Sequence, residues 1–239
     1  MSETTLQASL RAVLAGPTLV AGPALLGARL VREDPRGRRV GRIVEVEAYI
    51  GEDDRASHAR FGRTARNEVM YGEPGTAYVY LVYGMHDCLN IVSEDAGRPA
   101  ALLVRAVEPV DGVDAMRAAR AERLAMRRRV AMDATAEGRA ALIAAATDRL
   151  RSTPDVHLAA GPALVAAAFG LDRSLTGTDL FDPASFVRVE PRPASEPVPS
   201  IIASPRVGIA YAGPDAIGRP WRLSIAGHPS VSRPRPVAG

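Results

Sequence analysis

Apolar and polar side chains alternate along the segment RIVEVEAYI, which spans residues 42–50. Because successive side chains of an extended chain point to opposite faces, this period of two predicts a β-strand. One face is wholly apolar and should pack on the core: it carries Val44, Val46, Ala48 and Ile50. The opposite face, which we expect to carry the chemistry, holds Ile43, Glu45, Glu47 and Tyr49.

Helices are predicted in three regions of the chain. Residues 4–32 contain a short helix, a turn at the first Gly-Pro pair and a second helical segment around Ala24–Leu30. The Ala- and Arg-rich stretch Val113–Leu150 is also typical of a helix. Residues 161–170 should form another short helix, with Pro162 at its start, where the missing N–H costs no hydrogen bond.

Further strands are predicted at Thr76–Val82 and Ala100–Ala106, and two more strand-like runs lie within Ser204–Val231. Glycine and proline punctuate the turns between these elements. The tail after Ser232 is expected to be disordered. Since we find no internal repeat and no long linker, residues 1–239 should form a single domain.

Composition excludes several classes of function. Apolar residues make up 47% of the chain, which is enough for a substantial core. All 30 basic residues are arginine, so a lysine Schiff base and a Walker-type phosphate loop are both excluded. A single cysteine, Cys88, rules out an internal disulfide and a zinc–cysteine cluster, and we expect it to be buried and inert.

Charge and hydropathy bear on the partners and the compartment. A net charge of +3 permits a local basic surface for nucleic acid but does not require one. No signal peptide is apparent, and the apolar segment 12–28 is interrupted by two Gly-Pro pairs, which makes it too broken to span a bilayer. We therefore expect a cytoplasmic protein without a membrane partner.

Aromatic side chains are concentrated in one short segment, which holds Tyr78, Tyr80 and Tyr83, three of the six tyrosines. Cross-strand packing is one interpretation. The other is a platform on which a flat ring stacks beside a carboxylate that does acid–base chemistry. Tyr83 precedes the turn residue Gly84, a position that favours an outward-pointing ring of the kind an intercalating wedge requires.

Two other polar sets leave alternatives open. Glu45 and Glu47 start about 7 Å apart on one strand face, and they are either paired surface carboxylates or a catalytic pair. His58 could bind a metal with Asp53 or Asp54, but no second histidine lies nearby in the sequence, so we predict no metal site.

Arginines recur at spacings of three and four along the Ala- and Arg-rich helix, at Arg117, Arg120, Arg123 and Arg127. Such spacing places them on one face of the helix. This face is either simply solvated or follows a phosphate backbone.

Six ordered segments between about Leu25 and Ser232 resemble the alkyladenine (3-methyladenine) DNA glycosylase family. In chain order they are VEVEAYIGEDDRASHA, RNEVMYGEPGTAYVYLVYGMHDCLNIV, LLVRAVEP, LAAGPALVAAAFGLD, PRVGIAYAG and RPWRLSI. Several spaced motifs agree in order, so this resemblance is more specific than a single signature. With the predicted elements, it implies an α+β fold: one mixed domain with a central antiparallel β-sheet flanked by helices.

The resemblance implies a role for each matching residue. Glu47 would be the general base that activates water, and Arg105 and the backbone of Val207 would help to place that water. Asn90 would crowd the position of the 2-amino group of guanine. The extruded base would be enclosed by three side chains, one of which, the histidine, would donate a hydrogen bond to its edge: Tyr49, His58 and Tyr80.

The gap left in the duplex would be filled by Tyr83, with Met85 and Met70 beside it. The chain departs from the family pattern in three places: residues 125–155 are longer than usual, Leu164 stands where a lysine is common, and His86-Asp87 stand where aromatics are frequent. These departures concern DNA affinity and substrate range, because none touches the implied base or pocket.

We therefore expect a monofunctional, monomeric DNA glycosylase of the cytoplasm, associated with the nucleoid, that initiates base excision repair. It would act without a cofactor on double-stranded DNA containing damaged purines. The safest substrate is 3-methyladenine; 7-methylguanine, hypoxanthine and ethenoadenine are further candidates. One alternative is a catalytically silent nucleic-acid-binding module of the same fold. Another is a glycoside hydrolase using Glu45 and Glu47, but Trp221 is the only tryptophan available as a sugar platform.

The absence of lysine predicts the product of the reaction. A glycosylase with lyase activity attacks the sugar with an amine and passes through a Schiff base. Here the only amine is the N-terminus, which lies outside the segments that carry the pocket motifs. We expect an intact abasic site, strand breaks only after alkali, and no borohydride-trapped adduct. A lysine-dependent lyase on the same substrate serves as the positive control, and a trapped adduct with the pure protein would contradict water attack.

Overall fold

The computed structural model describes residues 3–82, 84–126 and 135–236. Within these ranges the chain folds as one α+β domain with a curled, antiparallel, eight-stranded sheet and six helices. The expected fold class is confirmed. The helices are α1 Glu3–Ala15, α2 Thr18–Leu25, α3 Val113–Met126, α4 Ala136–Arg151, α5 Pro162–Phe169 and α6 Pro214–Ile217. The strands are β1 Arg29–Asp34, β2 Gly37–Ile50, β3 Ala77–Val82, β4 His86–Val92, β5 Ala100–Asp111, β6 Val187–Glu190, β7 Ile201–Ser204 and β8 Arg222–Ile225.

Strand β2 organises the sheet. It pairs with β5 along one side, and on its other side its first part pairs with β1 and its second part with β8. The remaining neighbours give the order β3-β4-β5-β2-β1-β6, with β7 added beyond β8. The register of β2 against β5 shifts on both sides of Glu45. Because β5 and β8 pair with its two sides, the second half of β2 lies inside the sheet.

The predicted strand at residues 42–50 is confirmed and begins earlier, and most of both its faces is buried. Glu45 and Glu47 are completely buried, like Val44, Val46 and Ala48 of the opposite face. Alternation indicates which residues share a face, whereas the protein segments that cover that face come from distant parts of the chain. Candidate chemistry on β2 therefore lies inside the molecule.

The second helix was misplaced by the sequence pattern. It was expected around Ala24–Leu30, but α2 ends at Leu25 and residues 29–34 form β1. The apolar run is equally compatible with a buried helix and a buried strand, and pairing with β2 and β6 decides for the strand. The helix at residues 161–170 is confirmed as α5, with Pro162 as its first residue.

The Ala- and Arg-rich stretch contains α3 and α4, which pack on each other through Ala121, Ala125, Ala146 and Leu150. Arg117 bonds the carbonyl of Leu150 and pairs with Asp155, and Arg123 pairs with the buried Asp87 of β4. Arg120 donates to the carbonyl of His157. These arginines thus contact other parts of the protein, whereas the two interpretations of the helix face were a solvated surface and a phosphate-binding one. Arg127 lies outside the described residues.

Gly41 of β2 tests how tightly the sheet packs on α5. A Cβ built there would lie 2.2 Å from Val107 Cγ1, 2.8 Å from the Glu108 carbonyl oxygen and 3.0 Å from Phe169 Cζ. Gly41→Ala should therefore lower the free energy of unfolding by about 1–3 kcal/mol, as overpacking does, in urea denaturation. The control is Gly218→Ala, where the exposed Cβ meets its nearest atom at 3.5 Å. Equal stability of both variants would contradict the close packing.

Candidate active site

The carboxylate of Glu47 lies at the centre of the candidate site and is held by three donors. Its Oε1 accepts the backbone N–H of Val207 at 2.8 Å and contacts Arg105 Nη1 at 3.2 Å. Its Oε2 accepts the hydroxyl of Tyr49 at 2.9 Å. A carboxylate offers about four acceptor positions, so Oε2 keeps one of them for a further donor. The side chain is fixed in place and still able to accept a proton.

The neighbouring carboxylate of Glu45 accepts four hydrogen bonds. Its Oε1 accepts from Arg105 Nε at 3.0 Å, Arg222 Nε at 2.6 Å and Ser232 Oγ at 2.9 Å. Its Oε2 accepts the backbone N–H of Ser232 at 2.7 Å. Because two guanidinium groups and Ser232 enclose this fully buried carboxylate, Glu45 is structural. The expectation of two equivalent acidic groups, on which the glycoside hydrolase alternative depends, is not met.

An aromatic recess adjoins Glu47 and is lined by Tyr49, Ala56, His58, Met70, Tyr78, Tyr80, Asn90 and Tyr211. The imidazole of His58 meets the ring of Tyr80 edge-on, with centroids 4.4 Å apart and planes at 87°. The rings of Tyr78 and Tyr80 are stacked, with centroids 5.6 Å apart. The tyrosine cluster therefore faces a cavity as well as packing within the sheet.

The recess opens into a cleft of about 410 Å³, a volume in the range of small-molecule sites. Tyr49, His58, Tyr80 and Tyr211 line both spaces, and Arg105 and Val207 line the cleft. The inner recess is narrow, at about 40 Å³. A planar ring that entered from the cleft would thus meet the aromatic walls and the partners of Glu47 together.

His58 is held as a neutral ring. It begins the 3₁₀ helix His58–Phe61, which the hydroxyl of Ser57 caps. Burial, with the nearby charges of Arg66 and Arg60, lowers the pKa of His58 to about 4. Its Nδ1 lies 2.9 Å from the Tyr78 hydroxyl, and the positive charge of Arg66 acts on both groups.

Burial raises the pKa of Tyr78, so its hydroxyl keeps a proton that it can donate to Nδ1 of the neutral His58 ring. The neutral ring then carries its proton on Nε2, where it can donate to a ligand.

The two tyrosines nearest Glu47 are also uncharged. Burial and the adjacent charge of Glu47 raise the pKa of Tyr49 well above its ordinary value, and burial likewise raises that of Tyr80. Burial raises the pKa of the Cys88 thiol to about 11, and its side chain is buried as expected. At neutral pH the recess is thus lined by neutral rings and the adjoining cleft also by a neutral thiol, next to the ionic contacts of Glu47.

The position of Val207 depends on a buried ion pair. Arg206 donates to both carboxylate oxygens of Asp54, at 2.6 and 2.7 Å, and to the carbonyl of Ala48 at 2.8 Å. Its guanidinium also lies over the rings of Tyr49 and Trp221, 4.7 and 5.0 Å from their centroids. The guanidinium of Arg206 holds the backbone at this point, so that the N–H of the following residue, Val207, reaches Glu47. Sequence reasoning missed this pair and Tyr211, although both lie in motifs used for the resemblance.

The sequence-predicted residues fall into two groups. Glu47, Arg105 and Val207 meet at one carboxylate, and the recess walls include all four predicted base-contacting residues: Tyr49, His58, Tyr80 and Asn90. Asn90 Nδ2 donates to the carbonyl of Tyr78 at 3.1 Å, which fixes its amide.

The expected wedge is described only in part. Met85 is 55% exposed on the turn between β3 and β4, as a wedge neighbour should be. Met70 is not: it is 2% exposed and lines the recess, because it lies in the 3₁₀ helix Glu68–Tyr71 that packs against the sheet. Tyr83 lies outside the described residues.

No group of three or more His, Cys, Asp or Glu side chains within the described ranges is arranged to hold a metal ion. In the same ranges, none of the helices combines the length and the apolar character that crossing a bilayer requires. The C-terminal segment contacts the site region, since Arg222 Nη1 donates to the carbonyl of Pro234 at 2.8 Å. Residues 237–239 of the tail lie outside the description.

Comparison with known proteins agrees with this geometry. The methylpurine-DNA glycosylase family matches residues 12–229. A protein of Methanocella arvoryzae is 42% identical over 220 residues, 92% of this chain and 93% of its own. One of Anaeromyxobacter dehalogenans is 38% identical over 229 residues (95% and 87%), and one of Nitrosococcus oceani is 41% identical over 208 residues (87% and 85%). All three bear the name "Putative 3-methyladenine DNA glycosylase".

This family match makes the protein a DNA repair glycosylase, an enzyme that hydrolyses N-glycosyl bonds. The chain belongs to the methylpurine-DNA glycosylase family.

The low pKa of His58 makes a prediction for NMR titration. Its ring resonances should stay those of the neutral form from pH 8 down to about 5 and shift only near pH 4. Because the unfolded chain takes up this proton near the ordinary pKa of 6.5, stability that is present above pH 6.5 should be lost as the pH falls toward 4. Arg66→Gln should move the titration to higher pH, since it removes a nearby positive charge. A midpoint near 6.5 in the unaltered protein would contradict the assignment.

Proposed function

We propose that the protein excises damaged purines from double-stranded DNA by water attack on the N-glycosidic bond. The observation that carries the proposal is the state of Glu47, which is fixed by three donors and keeps one acceptor position beside an aromatic recess. A general base must reach its water and hold a stable geometry while doing so. Glu45 shows the contrast, because only one of its partners, Arg105, lines the cleft, whereas all three partners of Glu47 do.

In the proposed reaction, Oε2 of Glu47 accepts a proton from the attacking water. Arg105 and the N–H of Val207 occupy the other oxygen, so the carboxylate is oriented with Oε2 toward the reaction. The bond between the sugar carbon and the base nitrogen breaks, and the water oxygen bonds to that carbon. The products are the free base and an intact abasic site. No cofactor takes part, and all the groups named belong to one chain, so a monomer suffices.

The aromatic recess suits an extruded purine. Flipping a base out of a duplex costs a few kcal/mol, and stacking on aromatic rings returns roughly 1–3 kcal/mol per base. Alkylated purines that carry a positive charge stack well on the neutral faces of Tyr49 and Tyr80. Nε2 of His58 donates a hydrogen bond to the edge of the base. Because the inner recess is narrow, the rings must move apart slightly when a base enters.

Selectivity among purines follows from the substituents that fixed side chains exclude from the recess. The Asn90 amide cannot move away without losing its bond to the Tyr78 carbonyl, so it crowds the 2-amino group of guanine. We propose 3-methyladenine as the main substrate, with 7-methylguanine, hypoxanthine and ethenoadenine as further candidates. The relatives named for 3-methyladenine support this order. The turn that carries Tyr83, Gly84 and the exposed Met85 would enter the gap in the duplex.

Glu47→Gln tests the proposal directly. Methylated duplex DNA is incubated with the protein, and any released base is identified by chromatography. The unaltered protein should release 3-methyladenine, and the variant should be slower by about 10²- to 10⁴-fold in single turnover, the usual contribution of a general base. Binding to lesion DNA should change little, because the side-chain shape is kept.

The matched control is Glu73→Gln, the same change at an exposed glutamate, which should leave the rate unaltered. Binding of lesion DNA by the unaltered protein without release of any base would instead favour the alternative, a silent binding module. Near-normal excision by Glu47→Gln would show that another group is the base.

A further inference from the structure

The cluster around Glu45 lies directly beneath the candidate site and is buried throughout. Glu45, Arg105, Arg222 and Ser232 are 0, 6, 2 and 3% exposed, respectively. The cluster joins three distant parts of the chain, because Ser232 is 187 residues from Glu45 and 127 from Arg105. The C-terminal segment is therefore built into the core of the site.

Arg105 contacts three groups through three different nitrogens. Its Nε donates to Glu45 at 3.0 Å, its Nη1 contacts Glu47 at 3.2 Å, and its Nη2 donates to Ser232 Oγ at 3.1 Å. Since the guanidinium is planar and rigid, fixing Nε and Nη2 leaves Nη1 only one place to point. The direction of the contact with Glu47 is thus set by Glu45 and Ser232.

The hydroxyl of Ser232 acts as both a hydrogen-bond donor and an acceptor. It donates to Glu45 Oε1 at 2.9 Å and accepts from Arg105 Nη2. Its backbone is held as well, because its N–H donates to Glu45 Oε2 and its carbonyl accepts from Arg222 Nη2 at 2.9 Å. A group that both donates and accepts inside a buried ionic cluster cannot be replaced by water without repacking.

We infer that Ser232 is a positioning residue: its hydroxyl, with Glu45, aims Arg105 at Oε1 of Glu47 and so leaves Oε2 free for water. The inference rests on the proposed function and extends it to the C-terminal segment. Without the hydroxyl, Arg105 keeps its charge and its bond to Glu45 but can rotate about that bond. Glu47 then loses a fixed partner in the reaction, whereas the recess that binds the base is unchanged.

The test compares Ser232→Ala with Ser230→Ala. Both serines are buried, and Ser230 Oγ has no hydrogen-bond partner among the described residues, so the control removes the same atom without a bond. Ser232→Ala should lower kcat for base release about 10-fold, the effect of one bond to a charged group, with KM for lesion DNA unchanged. Ser232→Thr, which keeps the hydroxyl, should restore the rate. Equal kcat for Ser232→Ala and Ser230→Ala would overturn the inference.

A second measurement does not depend on catalysis. In ¹⁵N NMR, the Nη2–H groups of Arg105, which donate to Ser232 Oγ, should exchange slowly with solvent in the unaltered protein and in Ser230→Ala, and faster in Ser232→Ala. Thermal unfolding identifies temperatures at which all variants are folded. If the unaltered protein released no base, the proposed function would fail, and slow exchange unchanged in Ser232→Ala would separately overturn the positioning role.

Discussion

The contact of Arg105 with two carboxylates of one strand is the interaction on which the rest of the site depends. Burying Glu45 and Glu47 costs several kcal/mol per ion unless each charge is paired and hydrogen-bonded. One guanidinium meets both groups, and Arg222 completes the balance of two negative and two positive charges. The carboxylates can therefore sit inside the protein, where a fixed geometry is available to them.

This requirement explains why β2 is enclosed by strands and by the C-terminal segment. The period of two predicted the strand, and the tyrosine run and Pro162 predicted β3 and the start of α5. The partners were not predictable, because they join residues far apart: Arg206 binds Asp54 across 152 positions and Ser232 binds Glu45 across 187. No local pattern encodes such a distance. The same reason accounts for the misplaced second helix, since sheet pairing decided the structure of residues 29–34.

The resemblance also picked out residues that the fold brings together. Tyr49, His58, Tyr80 and Asn90 line the recess, and so does Met70, which had been expected beside the wedge instead. The resemblance identified the candidate site residues, whereas their protonation states could be assigned only from the structure. The neutrality of His58 comes from burial and from Arg66 and Arg60, and its proton position comes from Tyr78.

Arginine rather than lysine suits this arrangement. A lysine offers one compact charge, whereas the fork of Arg105 reaches two carboxylates and a hydroxyl from fixed directions. Arg206 uses the same property to hold Asp54 and a carbonyl while its flat face covers Tyr49. The consequence is a division between the carboxylates of β2. Glu45 takes four donors and supports the structure, whereas Glu47 takes three donors, from Tyr49, Arg105 and Val207, all of which line the cleft.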